Sequence, residues 1–82
     1  MKPSYTATAL KQLRKMDRTI AAKIVAKVEQ YAADPASLAN SVKALKGVDA
    51  LRLRVGDYRV IFTEDGLILT VLKVGHRREI YE

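Results

Sequence analysis

Two hydrophobic rhythms divide the chain. Up to about residue 33 the apolar positions recur at the three-and-four spacing of an amphipathic helix, and from residue 51 they alternate with the period of two of a strand. In the first part, Thr8 to Met16 predicts a short helix with Leu10 and Leu13 inward and Lys11, Arg14 and Lys15 outward. Asp17 reads as the N-cap of a longer helix, because a short side-chain oxygen there can accept the first free backbone N–H groups. In that helix Ala21, Ile24, Val25, Val28, Tyr31 and Ala32 fall on one stripe, and Asp34–Pro35 ends it. Ahead of both helices, "KPSY" predicts an edge strand, where the donor missing from Pro3 faces outward. "ASLANSVKALKG" reads as a connector with at most a helical turn, closed by Gly47.

The second part predicts three strands, at residues 51–55, 58–63 and 67–74, the last apolar enough for a central strand covered on both faces. The order is β-α-α-β-β-β. Two successive helices cannot serve as single crossovers, so the expected class is α+β: a mostly antiparallel four-stranded sheet with two helices packed on one face, forming one domain over residues 1–82.

The stretch "LRLRVGDYRVIF" fixes more than its class. A two-residue turn at Gly56–Asp57 sets Val55 against Tyr58, Arg54 against Arg59, Leu53 against Val60 and Arg52 against Ile61. Side chains then segregate by alternation. Leu51, Leu53, Val55, Tyr58, Val60 and Phe62 take the helix side; Arg52, Arg54, Arg59 and Ile61 take the other. A second two-residue turn at Asp65–Gly66 pairs Phe62 with Leu69 and Arg59 with Leu72, extending the open face through Ile68, Thr70 and Leu72.

Like charges directly opposed weaken a strand pair, and no acidic residue shares that face, since Asp57, Glu64 and Asp65 fall in turns. Long arginines can splay into water over their apolar stems. Three that converge without a counter-charge point instead to an anion, and guanidinium forks match phosphate in a bidentate way. At the C-terminus, "KVGHRREIYE" adds His76, Arg77, Arg78, Glu79 and Tyr81 near the start of the second strand of the hairpin. A histidine suits proton transfer near neutral pH, and an arginine can stabilise a phosphorane. A tyrosine can stack on a nucleobase.

Composition narrows the class without choosing it. The formal net charge is +6, and the excess lies in residues 1–51, with nine Lys/Arg against four Asp/Glu, so the second half rests on placement rather than on net charge. With no cysteine, disulfides and thiolate metal sites are excluded, which fits a reducing, cytoplasmic setting. No apolar run is long enough to span a membrane, and no signal peptide is apparent.

In order and spacing, "YTATALKQLRKM", the "DP" stop, "VKALKG", "LRLRVGDYRVIF" and "KVGHRREIY" resemble RelE-type toxins of the RelE/ParE toxin–antitoxin superfamily. The resemblance implies a small sheet with two helices on one face and a toxin that cleaves mRNA in the ribosomal A site. It needs no cofactor or metal, and an adjacently encoded RelB-like antitoxin wraps it and carries the complex to operator DNA. It places basic strand positions at Arg52 and Arg54, a transition-state arginine at Arg59, a second at Arg77 and the C-terminal tyrosine at Tyr81. His76 stands where the best-known relative has lysine and is the candidate acid or base, with Glu79 second. Lys11, Arg14, Lys15, Arg18 and Arg78 become a sequence-blind surface for ribosomal RNA. The strand lysines that some relatives use for proton transfer are arginines here. Two other functions stay open: a ParE-like gyrase poison, and a nucleic-acid-binding module without catalysis.

Overall fold

The computed structural model describes residues 1–80. Strand β1 (Lys2–Tyr5) leads into helices α1 (Ala7–Lys15) and α2 (Arg18–Ala33). A 3₁₀ segment (Pro35–Ser41) and a short β2 (Val42–Ala44) follow, then β3 (Leu51–Val55), β4 (Tyr58–Glu64) and β5 (Ile68–His76). The sheet order is β1-β5-β4-β3-β2, with β1 parallel to β5 and every other neighbouring pair antiparallel. The α+β class is as expected, but the sheet has five strands rather than four. The additional one comes from the connector, where Val42, Lys43 and Ala44 pair with Leu53, Arg52 and Leu51. Three residues alternate too briefly to announce a strand; the free edge of β3 supplies the pairing. Among the described residues no helix is long and apolar enough to cross a membrane.

Side-chain caps set the helix boundaries. Asp17 Oδ1 accepts from Thr19 N at 2.9 Å and Ile20 N at 3.4 Å. Thr6 Oγ1 accepts from Ala9 N at 3.1 Å and donates to Leu72 O at 2.8 Å, while Gln12 Oε1 accepts from Val74 N at 2.6 Å. These bonds satisfy β5 where β1 has ended, and they draw α1 close to the strand. Ala9, the smallest residue available, is therefore the fully buried one, and Leu10, expected inward, is 40% exposed. On α2 the buried residues are Ile24, Val28, Tyr31 and Ala32, with Ala21 and Val25 at the half-buried margin.

These helical residues pack on Leu53, Val55, Val60, Phe62, Leu69, Val71 and Val74. Tyr31 meets Phe62 edge-on, ring centroids 5.2 Å apart, and donates to Glu64 Oε1 at 2.7 Å. Burial, the hydrogen bond and the carboxylate charge together push the Tyr31 phenol up to about 12.

The β3–β4 register is the expected one throughout, from Leu51–Phe62 to Val55–Tyr58. Gly56 takes φ +59 and Asp57 a negative φ, the signs of a type II′ turn. The β4–β5 register differs from expectation: Phe62 pairs with Val71 and Arg59 with Gly75. One cause is Asp65, whose Oδ1 accepts from Leu67 N at 2.9 Å and Ile68 N at 2.8 Å. That lengthens the loop beyond two residues, with Gly66 at φ +92. The other is a bulge: Ile61 pairs with Lys73 but Phe62 with Val71, leaving Leu72 as the extra residue. Strict alternation from Val71 would bury Lys73. The bulge turns Lys73 to the open face and puts Val74, 1% exposed, into the core. Nor is β5 covered on both faces: Ile68 is 45% exposed, and Thr70 and Leu72 are half-buried.

Candidate functional site

Residues directly opposed in antiparallel strands share a face, so the registers place the cations. Lys43, Arg52, Ile61 and Lys73 form one row across β2, β3, β4 and β5, and Arg54, Arg59 and Gly75 form the next. Neither row contains a carboxylate. Ile61 is 3% exposed although it faces away from the helices. Its row neighbours, Arg52 and Lys73, bear long aliphatic stems suited to covering it.

Arg59 lies back over the turn that precedes it. Its Nη1 donates to Gly56 O and Tyr58 O, both at 3.0 Å, so the backbone fixes where this guanidinium points. Arg77 reaches the same turn from beyond β5: its backbone N donates to Asp57 O at 2.8 Å, and its Nε is 3.7 Å from Asp57 Oδ1. Both side chains of that ion pair are more than half exposed, so the backbone bond holds the segment and the pair contributes little.

Around the turn, a cleft of about 640 Å³ is lined by Arg54, Arg59, Arg77, Lys23, Lys27 and Asp57, together with residues of the 3₁₀ segment. Three arginines from three segments thus line one cleft whose only acid among the described residues, Asp57, is already paired with Arg77. Arg52 lies alongside, lining a shallow recess with Lys43 and Arg54. Such an arrangement can hold a phosphate by charge and by fork geometry at once.

The structure does not bring His76 and Glu79 into that cleft. His76 opposes Tyr58, on the helix-side face, with the two rings edge-on and 5.4 Å between centroids. Both His76 and Glu79 line a separate groove of about 370 Å³ between the end of α1, the start of α2 and the end of β5. His76 Nδ1 accepts from Arg78 N at 3.2 Å, and its carbonyl accepts from Glu79 N and Ile80 N at 2.8 and 3.1 Å. Ile80 folds back over Gly75, where a Cβ would come within 3.3 Å of it. Lys11, Arg14, Lys15, Arg18 and Arg78 are all exposed. Tyr81 lies outside the described residues. Among those described, no three His, Cys, Asp or Glu side chains come together as metal ligands.

Four cations escaped the sequence reading. Lys73 is signalled only by two valines three apart, Val71 and Val74, in a strand that otherwise alternates. Lys43 depends on recognising β2. Lys23 and Lys27 are one helical turn apart on α2, and only the tertiary fold brings them to the cleft.

A basic α+β domain with this sheet order, two helices on one face and an arginine-lined turn has the RelE-like toxin fold. The sequence matches the family of ParE toxins of type II toxin–antitoxin systems, parDE, over residues 4–81, and the chain belongs to that family. The toxin–antitoxin complex RelBE2 from Mycobacterium tuberculosis superposes with a TM-score of 0.79 at 25% identity, over 93% of this chain and 96% of that one. The RelB–RelE antitoxin–toxin complex from Methanococcus jannaschii gives 0.75 at 25% identity, over 96% and 95%. A YoeB/ParE toxin from Agrobacterium tumefaciens shares the fold, with 0.73 at 19% identity over 93% and 98%. No curated protein sequence matches the chain.

Proposed function

We propose that this toxin is a ribosome-dependent endoribonuclease that cuts mRNA in the A site. The observation that carries the proposal is the convergence of Arg54, Arg59 and Arg77 on one cleft, with Arg59 pre-positioned by two backbone carbonyls. In the proposed reaction the RNA 2′-oxygen bonds to the adjacent phosphorus and the bond to the 5′-oxygen breaks. The products are a 2′,3′-cyclic phosphate and a 5′-hydroxyl. Arg52, Arg54, Arg59 and Arg77 hold the phosphate and offset the charge that develops on it, the electrostatic term that commonly dominates such catalysis without a metal. His76, with Glu79 second, is the proposed acid or base. In the structure its ring lies in the separate groove beside Tyr58, so its use requires the imidazole to move toward the arginine cleft. Tyr81 stacks on the mRNA base, and Lys11, Arg14, Lys15, Arg18 and Arg78 bind ribosomal RNA. The neutralising partner is a RelB-like antitoxin, as in the solved RelB–RelE complexes that share the fold.

A gyrase poison is the second reading, favoured by the match to ParE toxins and by the separation of His76 from the arginines. Primer extension on messages from cells expressing the chain separates the two. Cuts within translated regions, in frame with codons, support cleavage in the A site. Intact messages together with blocked DNA supercoiling support the gyrase reading.

A further inference from the structure

The cleft has a second wall that the proposed chemistry does not use. Lys23 and Lys27, both on α2, line the same cavity as Arg54, Arg59 and Arg77, with Lys27 Nζ donating to Gln30 Oε1 at 3.5 Å on the helix surface. Spaced four residues apart, they stand on one helix face with Cβ atoms about 5–6 Å apart. No acidic residue of α2 lines the cavity, and its one carboxylate among the described residues, Asp57, is paired with Arg77. A single phosphate cannot occupy both walls of a space of about 640 Å³. The two walls also differ in kind. Arginine forks impose a geometry on one phosphate, whereas lysines are mobile point charges that accept a phosphate in many positions.

From this we infer that Lys23 and Lys27 hold the backbone of single-stranded RNA next to the phosphate gripped by the arginines, and so supply affinity that is blind to sequence. The inference rests on the proposed reading of the cleft as an RNA site. It assigns α2 a binding role and no part in bond breaking.

The test uses the full chain and a short 2′-O-methyl RNA oligonucleotide, which lacks the attacking hydroxyl and so reports binding alone. Each phosphate contact on a single strand contributes about 0.7 to the slope of log K against log salt. Lys23→Ala with Lys27→Ala should flatten that slope by about 1.4, and Lys23→Arg with Lys27→Arg should restore it. On programmed ribosomes the alanine pair should raise the half-saturating toxin concentration while the maximal cleavage rate holds. An unchanged slope with intact wild-type binding overturns the second wall and leaves the cleavage reading standing. Competition by polyglutamate but not by the oligonucleotide assigns the wall to an acidic protein partner and also overturns it. If the wild-type chain fails to bind the oligonucleotide even at low salt, the RNA reading of the whole cleft falls with it.

Discussion

Arg54 and Arg59 face each other across the β3–β4 pair, a contact that costs a fraction of a kcal/mol unless an anion lies between them. If phosphate is that anion, it binds the folded state alone and raises its stability by about 2.7 kcal/mol at a hundredfold excess over its dissociation constant. Phosphate should therefore raise the melting temperature more than chloride does at equal ionic strength. Arg54→Leu should lose that response while staying as stable as the parent, or slightly more so, without anion. A mutant that is weaker without phosphate and equally responsive to it makes Arg54 a packing residue. Tyr31 offers a separate check on the core. Its phenol is raised to about 12 against an ordinary value of 10, so the folded state keeps its proton after the unfolded chain has lost it. The resulting stability is complete below pH 10 and is lost as pH rises from 10 toward 12. Tyr31→Phe should cost about 1–2 kcal/mol at neutral pH by removing the bond to Glu64, and its melting temperature should fall less steeply than wild type above pH 10. Parallel curves for the two proteins would contradict the assignment.

Among the elements, those with strong local determinants were legible in the sequence. The α2 stripe and its Asp17 cap are set by spacing, and a two-residue turn leaves the β3–β4 register no freedom. The β4–β5 register was not legible, because the Asp65 carboxylate caps a longer loop and because a bulge costs one residue that no motif marks. Strand β2 exists only by virtue of its partner. Arg52, Arg54 and Arg59 were readable from alternation and Arg77 from the C-terminal cluster, whereas Lys23 and Lys27 reach the cleft through helix packing, which is a property of the whole fold. The bulge itself can be tested. If Leu72 is the extra residue, deleting it leaves Val71 and Val74 inward and Lys73 outward on a regular strand. The deletion variant should then unfold cooperatively in urea, within about 2 kcal/mol of the intact chain, a modest loss for one half-buried side chain. Loss of cooperative unfolding would mean that the bulge is required for the sheet to close on α1.

At the scale of the molecule, the sheet separates two tasks. Its helix side carries the core, and its open side carries basic rows in which no carboxylate appears. The net charge of +6 attracts nucleic acid of any kind, but only placement at the β3–β4 turn distinguishes gripping a phosphate from general attraction. Arg59 is where that distinction is sharpest, since its guanidinium is aimed by Gly56 O and Tyr58 O. Arg59→Lys retains the charge and loses the fork. The most direct measurement is cleavage of a defined message on purified, programmed ribosomes, comparing wild type with Arg59→Lys and identifying the new ends. The expected result is a cut in the A-site codon that leaves a 2′,3′-cyclic phosphate and a 5′-hydroxyl, slowed at least tenfold by Arg59→Lys with ribosome binding retained. An uncut message under wild-type toxin, or equal cutting by the lysine variant, would contradict the account.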